Sequence, residues 1–373
     1  MERSYFTRDV SGALKGVALI LMFIHHFFTF PDWIVFDVDY PWIQAFANQF
    51  VAPTDLCVGL FAFLTGYFHA FSTGTLRRSL RKIGDFLLSY WLVCAVLICA
   101  AVAMGCFTLS RSGLVHELLG LQTTVMVFCW YVSFFCVVQL LLPLLYRQAS
   151  ASAGNDVLTL LVIPILCLSI LAEQVFDPVL SGLAWYLRQW YPCVAVGCLF
   201  GKYGLFQKWF DSFLDMPGKP VGRKLLLSVI LVWIGFRGCY YVQQLNLGSI
   251  RFRSYDCPVV ISAAAFFAPV FLYGAANLLA LCEKGLAVRM LGKIGERSML
   301  MWFYHCLFFG CCGEYTQVLL YWPQNPILVL LNGLLLCYLA AALTEPVRTA
   351  LIGVKDRLVS RMLPVKQAQN ARH

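Results

Sequence analysis

Apolar runs of about twenty residues recur along the whole sequence, and a helix needs about that length to cross the hydrocarbon core of a bilayer. Inside that core every backbone N–H and C=O must be paired within the protein, which leaves helices and closed barrels as spanning structures. Hydrophobic residues make up 60% of the chain and charged residues 13%, against about 25% charged in soluble domains. The sequence therefore predicts an all-α, polytopic membrane helical bundle.

Ten transmembrane helices are predicted from these runs. They cover residues 12–31, 53–72, 83–105, 124–146, 157–172, 184–201, 225–243, 258–282, 297–314 and 327–346. The fifth is short and contains Pro164. The first run has no small-residue cleavage site and ends in histidines and aromatic residues, so we expect it to be retained as a span. One transmembrane domain is expected over residues 1–373, with a basic tail from 348 to 373.

The basic residues predict the orientation of the bundle. If the amino terminus is cytoplasmic, all but five of the 28 Lys and Arg residues fall in cytoplasmic loops and termini. The exceptions are Arg111, Arg188, Arg237, Arg251 and Arg253. Cytoplasmic segments of membrane proteins carry this excess, so both termini are predicted to be cytoplasmic. The charges are spread over many loops, so we expect them to face lipid headgroups or a cytosolic anion, and no nucleic acid.

The 16 cysteines lie mostly inside predicted spans, where Cys behaves as a small hydrophobic residue. No C-x-x-C pair occurs, so no metal site is expected. Cys311 and Cys312 are adjacent near the predicted outer face. Either they are ordinary packed thiols, which is the more common case, or one forms a disulfide with Cys257.

Two polar residues of the first span share one helix face. Lys15 and His26 are eleven residues apart, which is about 20° from a whole number of turns and roughly 16 Å along the axis. A cation therefore lies at the cytoplasmic rim, with an imidazole above it. This column suits an anionic carrier that docks its phosphates at the rim and extends a flexible arm to a general base. His25 is rotated about 80° off the column and is interpreted as a packed residue that bonds a neighbour.

Basic residues follow the second span on its cytoplasmic side. Arg78 and Arg81 are three residues apart, so they lie on one side of a helix and can face a phosphate together. Positive-inside anchoring alone would also produce this cluster. Thr65 precedes a glycine in the inner half of the second span, and it is the candidate hydroxyl near the donor.

Polar residues inside a membrane span have a high free-energy cost, so by default they either have a function or pair with one another. Asp55 enters at a depth close to that of His26, where it either orients the imidazole or caps a helix. His305, roughly 12 Å into the ninth span, either lines the same cavity or bonds a neighbouring helix. Arg237 lies between two glycines in the seventh span and is predicted to face a cavity or a carboxylate, in contact with an acceptor substrate. Glu345 is expected to pair with a cytoplasmic arginine.

These motifs, in this order, resemble those of the acyltransferase 3 family of bacterial integral-membrane acyltransferases. The family's basic residue, ten residues and histidine are similar to Lys15 and His26. Its acidic-hydrophobic-"SGF" segment is similar to "DLCVGLFAFLTGYF", and its R-x-x-R is similar to Arg78-Ser-Leu-Arg81. Further segments with family likeness are "WYVSFF" from Trp130, "WYPCVAVGCLFGKYG", "IGERSMLMWFYHCLF" with His305, and "LTEPVRTAL" with Glu345.

The resemblance implies a ten-span fold with both termini inside and a cytoplasmic acyl-CoA donor, commonly acetyl-CoA, without a metal. It implies an acceptor hydroxyl on a cell-envelope glycan or a lipid-linked sugar, at the bacterial cytoplasmic membrane. His26 maps to the essential histidine, with Asp55 as its candidate partner. Lys15, Thr65, Arg78 and Arg81 are the predicted donor-binding residues.

Trp130, Arg237 and His305 are the predicted substrate-binding residues. The chain departs from the family in carrying Lys15 for arginine, which loses a bidentate phosphate contact. It also carries Thr65 for serine, which keeps the hydroxyl, and Tyr67 for phenylalanine. A homo-oligomer is an open expectation.

A transporter for a small or anionic solute is the rival class, because buried His, Asp and Arg are also typical of proton-coupled carriers. The sequence shows no inverted repeat and no paired broken helices, which transporters of that kind often have. A non-catalytic membrane partner of a biosynthetic complex is the third alternative.

Overall fold

The computed structural model describes residues 5–29, 34, 52–72, 75–108, 110–121, 123–151, 155–174, 178–211, 221–244, 252–254, 257–259, 262–282 and 285–362. The side chain of Cys257 and the tail beyond Met362 lie outside what is described.

The described chain is almost entirely helical. The helices are α1 (Arg8–Phe28), α2 (Leu56–Ala70), α3 (Leu76–Ala103), α4 (Arg111–Leu119), α5 (Trp130–Ala151), α6 (Ile163–Gln174), α7 (Pro178–Tyr203), α8 (Val221–Gln244), α9 (Ala264–Leu281), α10 (Leu286–His305), α11 (Gly313–Tyr321) and α12 (Pro326–Met362). Short 3-10 turns cover Ala52–Asp55 and Cys306–Phe308, and π turns cover Leu158–Val162 and Phe206–Asp211. The strands β1 (Phe252–Ser254) and β2 (Cys257–Val259) form one antiparallel ribbon.

The prediction of an all-α membrane bundle is confirmed, and each predicted apolar run overlaps a helix. Six helical segments are long and apolar enough to cross a membrane: Arg8–Phe28, Leu76–Ala103, Trp130–Gln148, Gly222–Val242, Ala264–Leu281 and Pro326–Arg361. Helices α2, α6, α7 and α10 do not meet that test by length and composition. The count of ten is therefore not established by the structure.

The predicted fifth span begins with a π turn. Residues Leu158–Val162 form this turn, and α6 starts at Ile163 with Pro164 as its second residue. Residues 156–174 are helical without a break, so Pro164 lies inside the helix, directly after the π turn. Proline removes one intrahelical hydrogen bond, and a π turn is one of the places where helices depart from regular geometry.

Small residues let α1 and α10 pack closely. A Cβ added to Gly295 would lie 1.9 Å from the Gly12 carbonyl oxygen, and one added to Gly16 would lie 2.2 Å from that of Leu291. Any side chain at either position would collide with backbone. Close approach through small residues drives helix association in membranes, where lipid is as apolar as the helix surface.

A second tight pair joins α2 to α7. A Cβ on Gly66 would lie 1.9 Å from the Val194 carbonyl oxygen, and one on Gly197 would lie 2.1 Å from that of Phe63. The glycine of the Thr65–Gly66–Tyr67 segment is therefore required by helix packing. This contact fixes the α2 face that carries Thr65.

The amino-terminal end of α3 and the carboxy-terminal end of α12 meet. Arg81 pairs with Asp356, and Lys355 contacts both Asp85 and Asp356. The predicted cytoplasmic cluster and the described first part of the basic tail, up to Met362, therefore lie at the same end of the bundle, as the predicted orientation requires. Glu345 pairs with Arg348 one turn along α12, which confirms that it has an arginine partner.

Candidate active site

A cavity of about 230 Å³ lies inside the bundle between α1, α2, α3, α5 and α10. Its wall is mostly apolar and aromatic, and it includes Lys15 and His26 from the first helix. The lining residues are Lys15, Met22, His26, Cys57, Val58, Phe61, Thr65, Phe86, Phe128, Trp130, Tyr131, Phe135, Ser298, Met299 and Trp302. The cation and the imidazole that the helical spacing placed in one column thus border the same space.

His26 forms a hydrogen-bonded pair with His305. The Nδ1 atom of His26 lies 2.8 Å from Nε2 of His305, and the two ring planes are within 11° of each other. Nδ1 of His305 contacts the carbonyl oxygen of Trp302. A carbonyl only accepts, so Nδ1 of His305 carries a proton. With both rings neutral, His26 Nδ1 donates to His305 and His26 Nε2 is unprotonated, as a general base requires.

The register between α1 and α10 brings the two imidazoles together. A Cβ on Gly295 would lie 3.0 Å from the backbone nitrogen of Gly16, so these glycines pack side by side. His26 is ten residues after Gly16, and His305 is ten residues after Gly295. Both contacts lie on the same pair of helices, so the helices run in the same direction. Ten residues correspond to roughly 15 Å along a helix axis, so the two histidines lie side by side as the two glycines do.

Phe128 covers the other face of His26. The two rings stack with centroids 4.1 Å apart and planes within 8°. Phe128 has a φ of 67°, in the left-handed region that bulky residues rarely adopt. Such strain persists only where the surroundings hold it in place, and it is often found at functional sites.

Glu117 on α4 holds the loop that carries Phe128. Its carboxylate is 1% exposed, and it accepts hydrogen bonds from the backbone N–H groups of Thr124, Val125 and Met126 at 2.5, 2.9 and 3.0 Å. The Thr124 hydroxyl also donates to it at 3.0 Å. Four donors satisfy this buried charge, so the carboxylate fixes the backbone that leads to Phe128.

Residues after His305 hold the same loop from the opposite side. The Cys306 thiol donates to the carbonyl oxygen of Val127 at 2.7 Å, and the Cys311 N–H donates to that of Thr124 at 3.0 Å. The loop and the end of α10 therefore form one unit around the imidazole pair.

Lys15, Thr65 and Trp130 lie on the cavity wall with His26. The ammonium of Lys15 is 5.9 Å from the centroid of the Phe68 ring. The Thr65 hydroxyl donates to the Phe61 carbonyl oxygen at 2.9 Å. Trp130 stacks on Tyr186 with centroids 3.9 Å apart. Four of the predicted site residues thus meet at one cavity.

Arg78 and Arg81 do not line the cavity. Both are exposed at the start of α3, and the Arg81 guanidinium is paired with the Asp356 carboxylate. They lie at the predicted cytoplasmic end of the bundle, at the start of α3, and are not on the cavity wall with His26.

Asp55, Arg237 and His305 are also absent from the cavity wall. Asp55 ends the 3-10 turn before α2 and makes no capping hydrogen bond with its side chain. The Nδ1 atom of His26 has His305 as its partner. His305, which is fully buried, thus bonds a neighbouring helix, one of its two predicted alternatives.

Arg237 lies on α8, away from the cavity wall. The flanking glycines serve helix packing, since a Cβ on Gly235 would lie 2.6 Å from Cβ of Phe271 on α9. His25 bonds Thr29 at 3.2 Å, in line with its interpretation as a packed residue.

Sequence reasoning missed Phe128, Tyr131, Trp302 and Glu117. Phe128 and Glu117 act through loop geometry, for which the sequence carries no signal. Tyr131 and Trp302 lie inside the quoted segments "WYVSFF" and "IGERSMLMWFYHCLF". Tyr131 directly follows Trp130, and Trp302 lies about one helical turn before His305, so both could have been marked as neighbours of the predicted site residues.

The fold and the cavity define a multi-pass helical membrane protein with a buried base beside an internal space. The model of the acyltransferase 3 family, described as an acyltransferase domain, matches residues 12–345, and the chain belongs to this family. It is therefore a membrane acyltransferase. No curated protein and no solved structure gives a significant match.

Proposed function

We propose that this protein moves an acyl group, most simply acetyl, from cytoplasmic acyl-CoA to a hydroxyl of a cell-envelope glycan or lipid-linked sugar. The site would work in the bacterial cytoplasmic membrane. The observation that carries the proposal is one cavity with Lys15 and a His305-bonded His26 on its wall. Family membership favours this function over the transporter.

The donor would bind from the cytoplasmic end. Lys15, Arg78 and Arg81 supply charges for its phosphates, and charge-assisted hydrogen bonds to phosphate are among the stronger ones. Arg81 is already paired with Asp356, so a phosphate must compete with that carboxylate. The donor's apolar and amide-bearing arm would then enter the aromatic cavity, past Thr65.

The chemical step would use His26 as a general base. The acceptor oxygen attacks the thioester carbonyl carbon while its proton passes to Nε2 of His26. The imidazolium that forms is held through Nδ1 by His305, whose own Nδ1 is held by the Trp302 carbonyl. The C–S bond then breaks, and the proton passes to the thiolate of CoA. General base catalysis of this kind contributes about 10²–10⁴-fold.

A second course is transient transfer of the acyl group to Nε2 of His26. The same atom is used in both courses, and rapid quenching after mixing with labelled acetyl-CoA distinguishes them. Acyl label on the protein before acceptor is added indicates the covalent course.

The direct test replaces His26. His26→Ala should reduce transfer of label from acetyl-CoA to envelope material to background, while the protein remains inserted and folded. His25→Ala is the matched control, because the adjacent imidazole bonds Thr29 one turn along the chain and does not line the cavity. Near-normal transfer by the His26 variant would defeat the mechanism. Mass spectrometry of envelope glycans and lipids from a deletion strain would identify the acceptor.

A further inference from the structure

Three residues of the cavity wall carry hydroxyl groups, and they differ in their hydrogen bonds. Thr65 donates to the Phe61 carbonyl oxygen at 2.9 Å, and Ser298 donates to that of Gly295 at 2.9 Å. The Tyr131 hydroxyl is buried, lies near the Thr65 hydroxyl, and makes no hydrogen bond of good geometry within the part of the chain that is described. Of the three hydroxyls, that of Tyr131 alone donates to no carbonyl oxygen of the described residues.

A buried hydroxyl without a partner is costly, because it has lost its hydrogen bonds to water and gained none. Its ring is nevertheless well packed. The Tyr131 ring meets Trp302 edge-on with centroids 5.7 Å apart and lies 5.1 Å from the ring of Phe134. The hydroxyl position is therefore fixed by the fold, and it is left unpaired in a space where a substrate would enter.

The residue that fixes Tyr131 also fixes the base. The backbone carbonyl of Trp302 contacts His305, which bonds His26, while the indole ring of Trp302 packs on Tyr131. Trp302, near the end of α10, therefore helps to position both the base His26 and the Tyr131 hydroxyl on α5. Both border the cavity, so a thioester held between them faces a base and a donor together.

We propose that the Tyr131 hydroxyl donates a hydrogen bond to the carbonyl oxygen of the acyl group as transfer proceeds. The inference rests on the proposed acyl transfer. When the acceptor oxygen adds to the carbonyl carbon, the C=O electron pair moves to that oxygen, and Tyr131 stabilises the negative charge without losing its proton. The pair returns to re-form C=O as the C–S bond breaks. Donors that are oriented in advance toward such an oxygen make a large contribution to catalysis.

Tyr131→Phe tests the proposal, because it removes the oxygen and keeps the ring contacts. We expect kcat to fall by about 10²-fold, with the KM for acetyl-CoA within about twofold of the wild-type value. Thermal stability should be unchanged or higher, since an unpaired buried oxygen is removed. The assay uses radiolabelled acetyl-CoA and inverted vesicles from the producing cells.

Tyr191→Phe is the matched control. The Tyr191 hydroxyl is also buried, but it donates to the Leu160 carbonyl oxygen at 2.9 Å, away from the cavity. Its loss should lower the unfolding temperature and leave kcat unchanged. Loss of a tyrosine hydroxyl is thus expected to lower kcat without lowering stability at Tyr131, and to lower stability without changing kcat at Tyr191.

A second measurement uses the trifluoromethyl ketone analogue of acetyl-CoA, whose carbonyl forms a tetrahedral adduct. Tyr131→Phe should weaken its binding at least fivefold while CoA itself binds as tightly as to wild type. Wild-type kcat in this variant, or equal weakening of CoA and analogue, would overturn the role of Tyr131. A wild-type protein that neither binds CoA nor transfers acetyl would instead overturn the proposed function, and the Tyr131 inference with it.

Discussion

His26 and His305 hydrogen-bond to each other at 2.8 Å across two helices that run in the same direction. The Trp302 carbonyl oxygen accepts a hydrogen bond from Nδ1 of His305. When both rings are neutral, Nε2 of His305 therefore accepts from Nδ1 of His26. In this arrangement His305 positions the base. The register of glycine contacts between α1 and α10 aligns the pair.

Replacing His305 should therefore impair chemistry more than donor binding. His305→Phe keeps a ring against Phe23 but removes both nitrogens, so His26 loses the partner that fixes its tautomer. We expect kcat to fall by about 10²–10⁴-fold with little change in the KM for acetyl-CoA. Steady-state kinetics measures kcat and the KM for acetyl-CoA separately. An increase in KM at unchanged kcat would instead mark His305 as a substrate-binding residue.

Removing both exposed arginines should weaken donor binding. Arg78→Ala combined with Arg81→Ala is expected to raise the KM for acetyl-CoA by roughly tenfold or more, because two charge-assisted contacts to phosphate are lost. Acceptor choice should change less. Arg77→Ala, on the same helix start, is the control and should have a smaller effect. If the double variant binds CoA as the wild type does, the arginines serve orientation in the membrane only.

Opening the Arg81–Asp356 pair should have the opposite effect on the donor. Asp356→Asn removes the carboxylate that competes with phosphate for Arg81, and we expect the KM for acetyl-CoA to fall. Binding measured by equilibrium dialysis with labelled CoA tests this. A weaker affinity would show that Asp356 orients Arg81 for the donor.

Glu117 should support both stability and activity. In Glu117→Gln one oxygen is replaced by an NH₂ group, which cannot accept from the backbone donors of the loop. We expect a loss of about 1–3 kcal/mol in stability and a lower kcat, because Phe128 is no longer held against His26. Thermal unfolding in detergent and kinetics measure the two effects. Full activity together with lower stability would show that the loop carrying Phe128 contributes to stability and not to catalysis.

Asp156 should make the stability of the protein depend on pH in the acid range. Burial alone would raise the pKa of this carboxyl, but hydrogen bonds from Lys202, at 2.7 Å, and from Tyr203 lower it below the usual value. A lowered folded-state pKa adds stability above the unfolded-state pKa, about 3.9, and that stability is lost as pH falls toward the folded-state value. Asp156→Asn should be less stable at pH 7 and lack this acid transition. An identical pH profile in both proteins would contradict the assignment.

The site was partly predictable from local spacing. The eleven-residue interval between Lys15 and His26 fixes a shared helix face whatever the rest of the chain does, because helical geometry is local. Both residues border the cavity. By contrast, the partner of His26 is 279 residues away in the chain. Spacing within one helix carries no information on such a contact, so His305 remained one of several candidates.

The sequence by itself determined the class of fold, since long apolar runs can only be helices in lipid, and it determined the family through ordered motifs. Only the tertiary structure decided which polar groups meet. Glycine contacts set the register of α1 on α10, and a buried carboxylate on α4 shaped the loop over the imidazole. These are interactions between distant segments, and their energies depend on packing geometry that no local pattern encodes.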